Sequence, residues 1–93
     1  MKVEWLAVAE CNRESQLAYI AERNPWAAVD LGDAMEAAVR RLVRHPHIGP
    51  GRVKGTRELV VNRTPYVVIY RVELQAVVIL RLLHGAQQWP ARQ

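Results

Sequence analysis

Three apolar runs dominate the second half of the chain: Arg57 to Asn62, Pro65 to Glu73 and Ala76 to His84. Valine, isoleucine, leucine and tyrosine fill them, residue types that suit a pleated, half-buried surface. Only Arg63-Thr64 and Leu74-Gln75 separate them. Links this short can join antiparallel neighbours but cannot carry a crossover, so this half must fold as a strand meander. The second link is unusual, because two-residue hairpins favour Gly, Asn or Asp and none stands at 74 or 75.

The first half reads differently. Lys2-Val3-Glu4-Trp5 alternates polar and apolar residues, the pattern of a short strand. Asn12 is an N-cap candidate for a helix over Arg13–Arg23 with Leu17, Ile20 and Ala21 on one stripe, and Ala7–Cys11 can extend it backwards. Asn24 precedes a proline and so avoids the helical region, while Pro25 opens a second helix where its missing N–H does no harm. Leu31, Met35, Ala38, Val39 and Leu42 recur at helical spacing. Arg40, Arg41 and Arg44 complement the dipole in its last turns, and His45-Pro46 stops it. So short a link makes the helices an antiparallel hairpin. Gly49-Pro50-Gly51 is a loop by composition. The expected fold is α+β, ordered β-α-α-β-β-β. A helical hairpin over about 9–45 packs on a small curved antiparallel sheet whose meander runs over about 57–84, with a tail from 85 to 93. At 93 residues this is one domain.

Charge is split along the chain. Residues 1–39 hold three basic and seven acidic groups; residues 40–93 hold ten basic groups against Glu58 and Glu73 alone. A basic half suits nucleic acid, a nucleic-acid-bound machine or an acidic protein partner. No apolar stretch reaches the ~18–20 residues needed to span a bilayer. Met1–Ala9 lacks the layout of a signal peptide, and the single Cys11 has no internal disulfide partner, so a cytoplasmic location is expected.

Strand alternation sorts the arginines. Val67, Ile69 and Arg71 share one face of their run, and Val68, Tyr70 and Val72 the other. On the last run Val78, Leu80, Leu82 and His84 alternate with Ile79, Arg81 and Leu83. With helices over the arginine-free faces, Arg71 and Arg81 point away from the hairpin, on a surface that is both apolar and basic. His84 ends its strand beside Gly85. It would act as a general acid or base on a phosphodiester only with a cation nearby, and Arg81 fills that part if the strand twists enough to bring the two together. Packing or hydrogen bonding is the other use of such a histidine. His45-Pro46-His47 has no Cys, Asp or Glu close in sequence, so no metal site is expected. Cys11 reads as an apolar filler, Met35, Trp5 and Tyr70 as core. Trp89 either packs back on the sheet or anchors a partner. Phosphate-binding, dinucleotide, nucleophile-elbow and zinc-finger motifs are absent, and no cofactor is expected.

Taken together, GTRELVVNRTPYVVIYRV, VVILRLLHGAQQWP, YIAERNPWAA and EAAVRRLVRHPHIG resemble the RelE/ParE superfamily of toxins from bacterial type II toxin–antitoxin modules, over nearly the whole chain from Val3 to Pro90. The resemblance implies a helical hairpin on a small antiparallel sheet, and a growth-inhibiting, plasmid-stabilising toxin wrapped by the C-terminal segment of a cognate antitoxin. RelE-like members cut mRNA on the ribosome; ParE-like members poison DNA gyrase. The RNA-cleaving branch carries cationic groups, with an arginine or tyrosine at the last position, where this chain has Glu58, Val60, Val67 and Gln87. The resemblance therefore favours gyrase inhibition, with Arg57, Arg63, Arg71, Arg81, His84 and Trp89 as candidates for contacting target or antitoxin. The alternatives are a ribosome-dependent nuclease using His84 and Arg81, and an inactive antitoxin-binding module. Three departures from the family pattern stand out: a shortened loop GPGRVKG, the Leu74-Gln75 link, and Gln16 at a position usually apolar.

Overall fold

The computed structural model describes residues 1–85 and 89–90. Its elements run β1 (Lys2–Trp5), α1 (Ala7–Arg23), α2 (Pro25–Arg44), β2 (Arg57–Val60), β3 (Tyr66–Glu73) and β4 (Ala76–His84). The sheet order is β1-β4-β3-β2. The meander is antiparallel, as its short links require, with Leu59 opposite Val68 and Val68 opposite Leu82. The sheet as a whole is mixed, because β1 lies parallel to β4, with Lys2 opposite Ala76 and Trp5 opposite Ile79. The helical hairpin that follows β1 covers one face.

Local chemistry explains the α2 boundaries. The Asn24 side chain accepts from the Ala27 N–H at 3.1 Å, and Pro25 takes the first turn. The same Asn24 donates its backbone N–H to the Ile20 carbonyl, closing α1. Leu31, Met35, Ala38 and Leu42 are buried against Tyr66, Val68, Tyr70, Val77, Ile79 and Leu82. Each large apolar side chain so buried stabilises the fold by about 1.5–3 kcal/mol.

Helix α1 begins at Ala7 rather than after Asn12, and its N-cap, Leu6, offers no side-chain bond. The Leu6 N–H instead donates to the Ile79 carbonyl, so the chain leaves the sheet directly into the helix. Asn12 sits mid-helix. Its Oδ1 accepts from the Leu82 N–H at 3.2 Å, and Gln16 Nε2, one turn on, donates to the Leu82 carbonyl at 2.9 Å. Where β1 has turned away, these two side chains stand in for a strand on β4. That accounts for a polar Gln16 on the packed side of α1. Of the expected α1 stripe, Leu17 and Ile20 pack on the core while Ala21 is exposed; Ala9 is the buried alanine. Cys11 is exposed, not a filler.

A bulge in β4 changes the strand's phase. Ile69 lies opposite Arg81 and Tyr70 opposite Ile79, leaving Leu80 as an extra residue. Strict alternation placed Leu82 and His84 with Val78 and Leu80. Instead Val77, Ile79, Leu82 and His84 face the helices, while Val78, Leu80, Arg81 and Leu83 face the other way. The far face carries its own small core of Ile69, Val78 and Leu80, with Val67, Ala76, Leu83 and Trp89 around it.

Candidate functional site

The far face of the sheet is the surface on which the arginines were expected. Its β2 side presents Glu58 and Val60, opposite Ile69 and Val67. Arg52 reaches in from the loop before β2 and pairs with Glu58, Nε to Oε2 at 3.1 Å. A second nitrogen of Arg52 donates to the Trp89 carbonyl. The Trp89 indole N–H points to the Thr56 hydroxyl at 3.4 Å, and the Arg81 guanidinium lies 5.9 Å from the indole centroid. Trp89 therefore packs back on the sheet. Beside Trp89 lies a cleft of about 130 Å³ lined by Arg52, Glu58, Val67, Ile69, Trp89 and, from the end of β4, Leu83, His84 and Gly85.

This cleft holds one carboxylate already neutralised by one guanidinium. Neither of the other far-face cations lines this cleft: Arg81 Nη1 donates to the Leu80 carbonyl at 2.6 Å, and Arg71 Nε pairs with Glu73 at 3.2 Å. Glu58, Val60 and Val67 thus offer a phosphodiester no positive charge. Gln87 lies outside the described residues.

His84 and Arg81 leave β4 on opposite faces. The bulge puts Arg81 on the far face with Ile69, whereas His84 lies opposite Tyr66 on the helix face. There its ring stands edge-on to Tyr66, centroids 5.5 Å apart. Twist alone does not unite side chains on opposite faces of one strand. Arg57 is anchored rather than free, with Nη1 donating to the His47 carbonyl at 3.1 Å and the Gly49 carbonyl at 2.8 Å. Arg63 occupies the β2–β3 turn in the left-handed region at φ 64°.

Beside Arg63 a second surface opens. A groove of about 490 Å³ runs between the helical hairpin and the β2–β3 turn, floored by Ile20, Ala27, Leu31, Ala34 and Tyr66. It continues past Arg63 to Ala37, Ala38 and Arg41. Close by on α2, Trp26 is 79% exposed and Val29 54%.

Sequence reasoning missed Arg52 and Thr56, which hold Trp89, because nothing local in the loop distinguishes them. Among the described residues no group of three or more His, Cys, Asp and Glu is arranged to hold a metal ion, and no helix is long and apolar enough to cross a membrane.

Comparison with known proteins adds four likenesses. Residues 3–89 match the family model described as ParE toxin of the type II toxin–antitoxin system parDE. Y4kP of Sinorhizobium fredii, which carries a toxin name, is 38% identical over 90 residues, spanning 96% of this chain and 93% of that protein. Toxin RelE1 of Caulobacter vibrioides is 34% identical over 74 residues, 77% of this chain and 80% of its own. A solved chain from the chromosomal ParDE system of P. aeruginosa superposes with a TM-score of 0.79 at 23% identity, covering 90% of this chain and 95% of that one, a likeness of fold.

Proposed function

We propose that this chain, which belongs to the ParE toxin family of type II toxin–antitoxin systems, arrests growth by binding and inhibiting DNA gyrase and does not cut RNA. Family membership implies a cognate antitoxin. The observation that carries the target assignment is the Arg52–Glu58 pair inside the far-face cleft. Phosphoryl transfer is driven by preorganised positive charge where negative charge develops. Here that place is occupied by a carboxylate paired with Arg52, and the one histidine that reaches the cleft, His84 at the end of β4, has its ring edge-on to Tyr66. A surface of this kind, apolar with engaged arginines at its margins, is built for protein contact.

The antitoxin reading draws on the groove beside Arg63. Its floor is apolar, Asp30 of α2 is the one carboxylate in its lining, and Arg41 and Arg63 flank the other part, where acidic residues of a partner would sit. An amphipathic segment with acidic residues complements both properties.

The test is direct. Purified protein is incubated with gyrase, supercoiled plasmid and ATP, and the DNA is freed of protein before electrophoresis. Accumulation of linear plasmid, or loss of supercoiling, supports gyrase as the target. Unchanged gyrase activity at a large molar excess of an antitoxin-free preparation rejects it.

A further inference from the structure

At the end of β2 remote from Arg63, the sheet has a third cavity of about 320 Å³, lined by His47, Gly51, Gly55, Thr56, Arg57, Arg71 and Val72. No carboxylate is among its lining residues, in a protein where the far-face cleft contains one. Three features suit it to an oxyanion. First, both guanidiniums are held in place by contacts that leave other N–H groups over. Arg57 spends Nη1 on the His47 and Gly49 carbonyls, and Arg71 spends Nε on Glu73. Among the described residues, the remaining guanidinium nitrogens of both have no partner. Second, His47 adds a third side chain able to donate, beside the two cations. Third, backbone contributes. The Val61 N–H bonds to the Tyr66 carbonyl, so the pairs Leu59–Val68 and Arg57–Tyr70 are the hydrogen-bonded ones of this ladder. The next residue of that set on β3 is Val72, whose N–H turns toward the side where β2 has already ended. Gly55, at φ 82° with nothing within 4 Å of a built Cβ, keeps the mouth of the cavity open.

We infer that this cavity is a binding site for a phosphate group, held by the spare N–H groups of Arg57 and Arg71 with His47 at its edge. The planar guanidinium fork fits the oxygen spacing of a phosphate, and at this open sheet edge Arg57 reaches the cavity from the helix face and Arg71 from the far face. The inference is independent of the gyrase assignment, because gyrase and the ribosome both present nucleic acid. The phosphate would come either from a nucleic-acid backbone or from a free phosphate compound.

Amide and arginine side-chain NMR spectra of the full chain test this, with inorganic phosphate titrated against chloride at matched ionic strength. Phosphate should shift Gly55, Thr56, Val72 and the Arg57 and Arg71 side-chain signals, saturably, with chloride inert. Arg71→Gln should weaken the apparent affinity by about fivefold to tenfold, and His47→Gln by less, both with otherwise native spectra. A short DNA duplex forms a second arm. Displacement of phosphate by the duplex assigns the site to a backbone phosphate, and binding of inorganic phosphate alone assigns it to a free one. Shifts no larger than chloride gives, shifts centred on Arg40, Arg41 and Arg44, or an Arg71→Gln affinity within twofold of wild type would each overturn the inference.

Discussion

Replacing Gly49 by alanine should be among the most damaging single-methyl changes in this chain. A Cβ built there lies 2.4 Å from the Glu58 carbonyl oxygen and 2.8 Å from the Tyr70 hydroxyl. Neither neighbour yields by rotating a flexible side chain: one is strand backbone, and the other belongs to the core tyrosine. The loop must retreat instead, and three hydrogen bonds depend on where it sits. They are Gly49 N–H to the Tyr70 hydroxyl at 3.0 Å, Arg57 to the Gly49 carbonyl at 2.8 Å, and Glu58 N–H to the Pro50 carbonyl at 3.0 Å. At about 1 kcal/mol for each bond, with an extra penalty for a buried hydroxyl left unpaired, the change costs about 3–4 kcal/mol. A domain of this class has only about 5–15 kcal/mol in all. The melting temperature should fall by roughly 15 °C or more, at about 4–8 °C per kcal/mol for this size. Urea unfolding followed by tryptophan fluorescence measures it. Tyr70→Phe alone should cost about 1–2 kcal/mol, the bond without the clash. The double variant should lose clearly less than the sum, because both changes remove the same bond. A Gly49→Ala protein within about 0.5 kcal/mol of wild type, or a fully additive pair, would refute the close approach.

Other substitutions probe separate parts of the account. Gly32→Ala, in the middle of α2 with nothing within 4 Å of the added Cβ, should stabilise by about 0.5–1 kcal/mol in the same assay. Arg63→Gly should also stabilise, by up to about 1 kcal/mol, since it relieves a left-handed residue; if it destabilises instead, the side chain contributes more than its backbone strain. Gln16→Leu removes the donor to the Leu82 carbonyl and should cost about 1–2 kcal/mol despite added apolar bulk. Trp89→Ala should uncover the Ile69–Val78–Leu80 cluster, read as increased binding of a hydrophobic dye with little loss of helical circular dichroism. Unchanged dye binding would mean that Trp89 does not shield the far face.

Much of this fold is legible in the sequence, because local chemistry decides it. Asn24-Pro25 ends one helix and caps the next, and the short links dictate an antiparallel meander. The stripe Leu31, Met35, Ala38 and Leu42 marks the buried side of α2. What is not legible depends on tertiary partners. Asn12 looks like a helix cap because its type favours caps, yet it is spent on Leu82, far away in the chain. The same use of Asn12 and Gln16 hides the helical stripe of α1. The β4 bulge is invisible in VVILRLL, since both faces of that strand are apolar and either phase satisfies the pattern. That ambiguity decides which face Val78 and Leu80 take, whereas Arg81 and His84, three residues apart beyond the bulge, fall on opposite faces in either phase. The parallel pairing of β1 is likewise a long-range choice. The engagement of Arg57, Arg71 and Arg81 by carbonyls and carboxylates could not be read from a count of charges.

The central claim is that the far face of the sheet contacts a protein target and does not cleave RNA. Primer extension on a translated transcript tests it most directly, in a ribosome-containing extract given the purified chain free of antitoxin. The account predicts full-length product, indistinguishable from extract without the protein. Cuts phased to codons that disappear with His84→Ala or Arg81→Ala would contradict it.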